Sequence, residues 1–174
     1  NWCFMKALFV HDHKFKRDSS GVVYSTGTLN ADIWNRYLSS FDSITIAARD
    51  DGEIPSNNRL PKSSTKNVSF YLFKDILTLK HEILGSSSFD KQCKDLVSSH
   101  DAVIARLPSK LGLLFLKECK KQNKPYAIEV VGSAWDALWN YGSLRSKLYA
   151  PILELQTKKA VYSSPFTIYV TKNF

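Results

Sequence analysis

With 174 residues, 44% of them hydrophobic, 13% aromatic and 23% charged, the chain is long enough for one well-buried core. It has none of the apolar depletion of a disordered, fibrous or low-complexity protein. Lys and Arg number 24 against 16 Asp and Glu, a formal charge of +8. That excess draws anionic partners in general, without choosing among nucleic acid, an anionic membrane surface and a phosphorylated substrate.

No apolar run approaches about 18 residues and the N-terminus lacks a secretory pattern, so neither a membrane span nor a signal is expected. Cys3, Cys93 and Cys119 are odd in number and share no short spacing. This disfavours a disulfide framework or a zinc site and points to a reduced, cytosolic compartment. Asn1 to Phe4 precede Met5-Lys6, which fits a natural start, so residues 1–4 are expected to be foreign to the native protein.

Lys6 to Val10 is too short and apolar for a helix and reads as a first central strand, followed by a loop from His11 to Gly27. Between Asn30 and Phe41, residues Ile33, Trp34, Tyr37, Leu38 and Phe41 recur at helical spacing, which predicts a helix from about Thr28. Ser43 to Ala48 is β-branched and ends in Arg49-Asp50-Asp51-Gly52, a turn signal. Asn57 to Lys66 reads as a mobile connector, Val68 to Phe73 as a third strand and Asp75 to Leu84 as a short helix.

Phe89, Cys93, Leu96 and Val97 share a helical face over Phe89 to Ser99, with Ser88 as its N-cap. Asp101 to Leu107 follows as a strand closed by Pro108, then a helix from Ser109 to Asn123 whose basic last turn suits the helix dipole. Pro125 opens the next strand, in which Glu129 is the one charge, and Gly132 breaks it. Leu144, Leu148, Ile152 and Leu155 predict a helix over Leu144 to Tyr162 bent at Pro151, and Thr167 to Thr171 a final strand. The alternation predicts one α/β domain over 1–174: a doubly wound, mostly parallel, Rossmann-like sheet with helices on both faces.

A carboxylate in an apolar strand needs a partner or a function, so Glu129 is a site candidate, as is Arg106 at the end of the preceding strand. The two would meet at one cleft edge of a parallel sheet or form a buried structural pair. His11 and His13 flank Asp12, but without a third ligand nearby a polar contact or plain exposure is preferred over a metal. Gly21 and Gly27 lie before the first helix, where glycine admits close approach of a phosphate, yet their spacing matches neither dinucleotide motif nor P-loop. Asp136 either orients sugar hydroxyls or caps the next segment, and Trp135, Trp139 and Tyr141 either stack on a sugar or pack together. No Gly-x-Ser-x-Gly elbow and no nucleic-acid motif is present.

Glu129-Val-Val-Gly-Ser-Ala-Trp-Asp-Ala-Leu-Trp-Asn-Tyr-Gly142, Lys147-Leu-Tyr-Ala-Pro151 and Ile168-Tyr-Val-Thr171 together resemble the N-terminal domain of bacterial family 4 glycosyltransferases of the capsule and exopolysaccharide type. Gly21-Val-Val-Tyr-Ser25, Trp34-Asn-Arg-Tyr-Leu38 and Ala47-Ala-Arg49 match the same pattern in order. The resemblance implies the acceptor-side half of a GT-B enzyme that retains anomeric configuration, without a metal or cofactor and with a nucleotide-sugar as substrate. It implies that Gly27 and Thr28 approach the donor diphosphate, and that His11, His13, Gly21, Arg106, Glu129, Gly132 and Asp136 serve the acceptor. It assigns no catalytic residue, and the histidine that many family members carry at the strand end Val130-Val131-Gly132 is absent here.

The donor half, with its paired glutamates, is expected to be missing, which would leave this piece folded but inactive alone. The charge then suggests a cytoplasmic protein held at the inner membrane face near a lipid-linked acceptor, with no nucleic-acid partner. The alternative is a noncatalytic ligand-binding or interaction module of the same fold.

Overall fold

Ala7, Leu8, Phe9 and Val10 are all fully buried, a pattern that a strand reaches only when both faces of its sheet are covered. They lie in β1 (Lys6–Arg17) of a computed structural model that describes residues 4–74, 87–133 and 144–170. The remaining strands are β2 (Val23–Ser25), β3 (Ser43–Glu53), β4 (Val68–Phe73), β5 (Ala102–Leu107), β6 (Tyr126–Val130) and β7 (Thr167–Tyr169). They form one seven-stranded sheet of order β4-β3-β1-β5-β6-β7, with β2 beside β1. Among the described strands every pairing is parallel except the β1–β2 hairpin. The helices are α1 (Asn35–Leu38), α2 (Ser87–Ser98), α3 (Lys110–Gln122) and α4 (Leu144–Tyr162), with a 3-10 turn over Ala31–Trp34. This is the Rossmann-like α/β sheet that the sequence predicts.

Two layers of core flank β1. Leu8, Val10 and Val103 pack with Cys93, Val97, Leu111, Phe115 and Cys119 of α2 and α3 on one face. Phe9 packs with Trp34, Tyr37, Ile44, Ile46 and the partly buried Ile104 on the other. Both described cysteines are therefore free core residues, and burial pushes each thiol up to about 12. A third cluster, with Ala105, Leu107, Leu116, Ile128 and Val130, takes in Ala160 and Val161 of α4.

Several expectations need correction. The predicted loop from His11 is strand: β1 continues to Arg17 and returns as β2, with Gly21 at φ +86° in the tight turn between them. Polar side chains hid this extension, in which only Phe15 is fully buried and neighbouring strands hold the rest. Lys14, Lys16 and Arg17 accordingly stand on a strand, and both lysines pair with Asp51. The Arg49–Gly52 turn signal lies within β3, which runs on to Glu53 beside β1. Asn30 to Phe41 holds only the 3-10 turn and the four-residue α1, and Asn30 makes no side-chain cap.

The Asn57–Lys66 connector is fastened. Ser63 is buried and accepts from the Trp34 indole at 3.1 Å, while its backbone N–H donates to Val23 and Pro61 accepts from Ser25. α2 begins at Ser87, so Ser88 lies inside it and is not its cap. α4 spans its predicted bounds, but of the apolar residues that predict it Leu148 is 73%, Ile152 51% and Leu155 56% exposed, while Ala150, Leu153 and Thr157 are buried. The helix predicted over Asp75 to Leu84 lies outside the described residues, as do Trp135, Asp136, Trp139 and Tyr141. The final strand ends at Tyr169.

Candidate functional site

In an open parallel sheet the carboxyl ends of the strands are where ligands bind, and an irregularity in β1 shapes that edge here. Between Val10 and Lys14 β1 advances four residues while its partner β3 advances two, Ala47 to Arg49. The excess is a bulge holding His11, Asp12 and His13. Bulges re-aim side chains next to functional sites, and this one sends its three residues to different neighbours.

Asp12 turns to α3. Its carboxylate accepts the backbone N–H groups of Lys110 at 2.7 Å and Leu111 at 2.9 Å, beside the N-cap Ser109, which accepts from Gly112 at 2.9 Å. The positive end of the helix is thereby occupied by the protein's own carboxylate. Burial pushes the Asp12 carboxyl above its usual range, and the two amides pull the other way. Lys110 reaches over the ring of Tyr149 of α4 at 4.0 Å.

The imidazoles go to the Phe9 face. His11 and His13 stack at 6.4 Å, and His13 meets Phe15 edge-on at 4.7 Å. His13 Nε2 is 2.8 Å from Ser25 Oγ, which also donates to the Gly27 carbonyl at 3.1 Å and accepts from the Gly27 N–H at 3.1 Å. A hydroxyl has one proton, so when Gly27 takes it His13 donates from Nε2. A Cβ on Gly27 would stand 3.1 Å from His13 Cε1, which gives this glycine a packing reason as well. Burial depresses both histidines, assisted by the charge of Arg106, and holds His11 at about 3.

Arg106 and Glu129 are register partners across β5 and β6. Glu129 is buried and accepts from Tyr37 Oη at 3.0 and 3.1 Å, and Arg36 Nη2 donates to its Oε1. Arg106 Nε comes within 3.4 Å of Oε2, in ion-pair range but without hydrogen-bond geometry. Burial, then the carboxylate, pushes the Tyr37 phenol up to about 12, so it remains a donor. Arg36 and Tyr37 are the residues that sequence reasoning missed as site members. A charged residue next to an aromatic on an otherwise apolar helical face was the available signal.

The structure thus brings His11 beside Arg106, Arg106 beside Glu129, and His13 beside Gly27. Gly21 stands apart at the hairpin turn, beyond Arg17, which lies six steps from His11 along β1, at most about 20 Å. Gly132 follows β6 by two residues, and among the described residues no atom comes within 4 Å of the position a Cβ would take. Thr28 leads into a 3-10 turn and a single helical turn, too short to present the dipole of a full helix to a phosphate. Among the described residues no group of three or more His, Cys, Asp or Glu could hold a metal ion, and no helix is long and apolar enough to cross a membrane.

No protein-family model matches the chain. It is related to Protein CapJ of Staphylococcus aureus, 37% identical over an alignment of 174 positions that covers 98% of this chain and 43% of that protein. The chain therefore spans less than half the length of this curated relative.

Proposed function

We propose that the chain is the acceptor-binding domain of a retaining glycosyltransferase, which moves a sugar from a nucleotide-sugar to a lipid-linked saccharide in cell-surface polysaccharide synthesis. The observation that carries this reading is the gathering of His11, Arg106 and Glu129 at the carboxyl edge of one parallel sheet, where α/β folds hold ligands. The likeness to Protein CapJ supports the capsule side of it.

In this reading His11, His13, Arg106 and the stretch from Glu129 to Asp136 serve the acceptor, and Gly27 and Thr28 approach the donor diphosphate. A departing diphosphate is stabilised by amides and cations aimed at its developing charge. Most donor contacts fall to a second domain outside these 174 residues, and the reaction takes the nucleotide-sugar as substrate with no cofactor. The +8 charge draws the enzyme to an anionic inner membrane face, where a lipid-linked acceptor sits.

The test is transfer to lipid-linked acceptors by the full-length gene product over a panel of nucleotide-sugars, with the 174-residue chain as control. Turnover by the long form and none by the short one is expected. Silence from the full-length product across the panel, with ligand binding intact, would replace this reading with a noncatalytic binding module.

A further inference from the structure

Most polar groups at the carboxyl edge are already engaged. Asp12 is held by α3, His13 by Ser25, and Glu129 by Tyr37 and Arg36. Among the described residues two adjacent donors on the Phe9 face are left over. The backbone N–H of His13 donates to His11 Nδ1 at 3.1 Å, so the neutral imidazole carries its proton on Nε2. Among the described residues that Nε2–H meets no acceptor, and the Arg106 guanidinium makes no hydrogen bond, its buried Nε included.

These donors are neighbours on one face. Val10 pairs with Ala105, His11 and Arg106 are the next residues on the two adjacent strands, and each follows by two a member of the Phe9 cluster, Phe9 and Ile104. Two guanidinium groups share the single carboxylate of Glu129, which leaves one positive charge uncancelled. Arg106 Nε, buried and without a hydrogen bond, carries a free-energy cost until a ligand pairs it, and the half-buried His11 Nε2–H beside it is open to the same ligand.

We propose that His11 Nε2–H and the Arg106 guanidinium form an oxyanion subsite between β1 and β5 that takes a carboxylate or phosphate group of the ligand. If the sugar-transfer reading holds, on which only the ligand's identity rests, the acceptor carries an acidic sugar or a phosphate at this point. With its Nδ1 lone pair engaged, His11 acts there as a donor and not as a base.

The test uses the full-length gene product with ¹⁵N-labelled histidine, titrated near neutral pH with inorganic phosphate, with glucuronate, and with chloride at matched ionic strength. His11 shows the Nε2–H tautomer before addition, and phosphate or glucuronate shifts it saturably where chloride does not. The stronger of the two identifies the source as a phosphorylated or an acidic-sugar ligand. Arg106→Met weakens the response about ten- to a hundredfold, the loss expected for a charged hydrogen bond. Should that variant not fold, Arg106→Lys keeps the charge beside Glu129 but loses the planar fork, and still weakens binding several-fold. An Nδ1–H tautomer, the absence of a saturable response to either anion, or unchanged binding in the folded arginine variant would overturn the subsite. Failure of sugar transfer with the anion response intact would overturn the proposed function and leave the subsite standing.

Discussion

Replacing Glu129 by Gln removes one charge from the centre of the arginine–tyrosine cluster without changing its shape. Arg36, with half its side chain exposed, relaxes into water at little cost, but the Arg106 side chain is 13% exposed and cannot. Breaking a buried pair from one side costs about 3–5 kcal/mol. Because Gln keeps a hydrogen bond to Tyr37, the lower end applies, about 3 kcal/mol. Urea unfolding reads it directly. With a slope of about 2 kcal/mol per molar for a chain of this size, the midpoint falls by about 1.5 M. The coupling is separable: Glu129→Leu together with Arg106→Met replaces the pair by apolar side chains and recovers most of the loss. A Glu129→Gln variant within about 0.5 kcal/mol of the parent, or a double variant as destabilised as the sum of its singles, would refute the reasoning.

The histidines predict acid sensitivity. His11 titrates at about 3 when folded and at its ordinary 6.5 when unfolded. Between these values the unfolded chain binds the extra proton, so stability rises with pH by about 1.4 kcal/mol per unit and levels off above. His13 and His100, also depressed, add to the slope, whereas Asp12, raised, opposes it in its own window. Urea midpoints across the acid range give a shallower slope for His11→Gln. Gly112→Ala would place a Cβ 2.9 Å from Leu107 Cδ2 and 3.2 Å from Ser109 Oγ, and overpacking of this kind costs about 1–3 kcal/mol by thermal or urea unfolding. On α4, Leu148→Ser and Ile152→Ser change stability by less than about 0.5 kcal/mol because both side chains face solvent. By contrast Leu153→Ala costs about 2–5 kcal/mol. The reverse order would mean that the helix is turned the other way.

Legibility in the sequence tracks the places where burial is the dominant force. β4, β5, β6, α3 and α4 lie within a residue or two of their predicted bounds, because short β-branched runs and long periodic stretches are set by their own apolar pattern. The carboxyl half of β1 and β3 was not legible. Lys14, Lys16, Arg49 and Asp50 are polar and are kept extended by ladder bonds to chain far away in sequence. The orientation of α4 was not legible, because Leu148, Ile152 and Leu155 recur as an apolar face although Ala150, Leu153 and Thr157 are the buried residues. At the site, Arg106 and Glu129 were legible as a pair because strand ends align in a parallel sheet. Asp12 on α3 and Arg36 on Glu129 span 98 and 93 residues, and no local pattern encodes them.

The β1 bulge binds two otherwise unrelated tasks to one stretch of three residues. Asp12 serves a helix on one side of the sheet, while His11 and His13 serve the opposite side. Since side chains alternate along a strand, inserting or deleting a single residue here would exchange the two sides. An imidazole would then meet the amides of α3, and a carboxylate would stand next to Arg106. Helix anchoring and the polar edge can therefore drift by substitution but not by shift of register, so homologous chains that keep this helix in place are expected to preserve the spacing of the three residues more strictly than their identities.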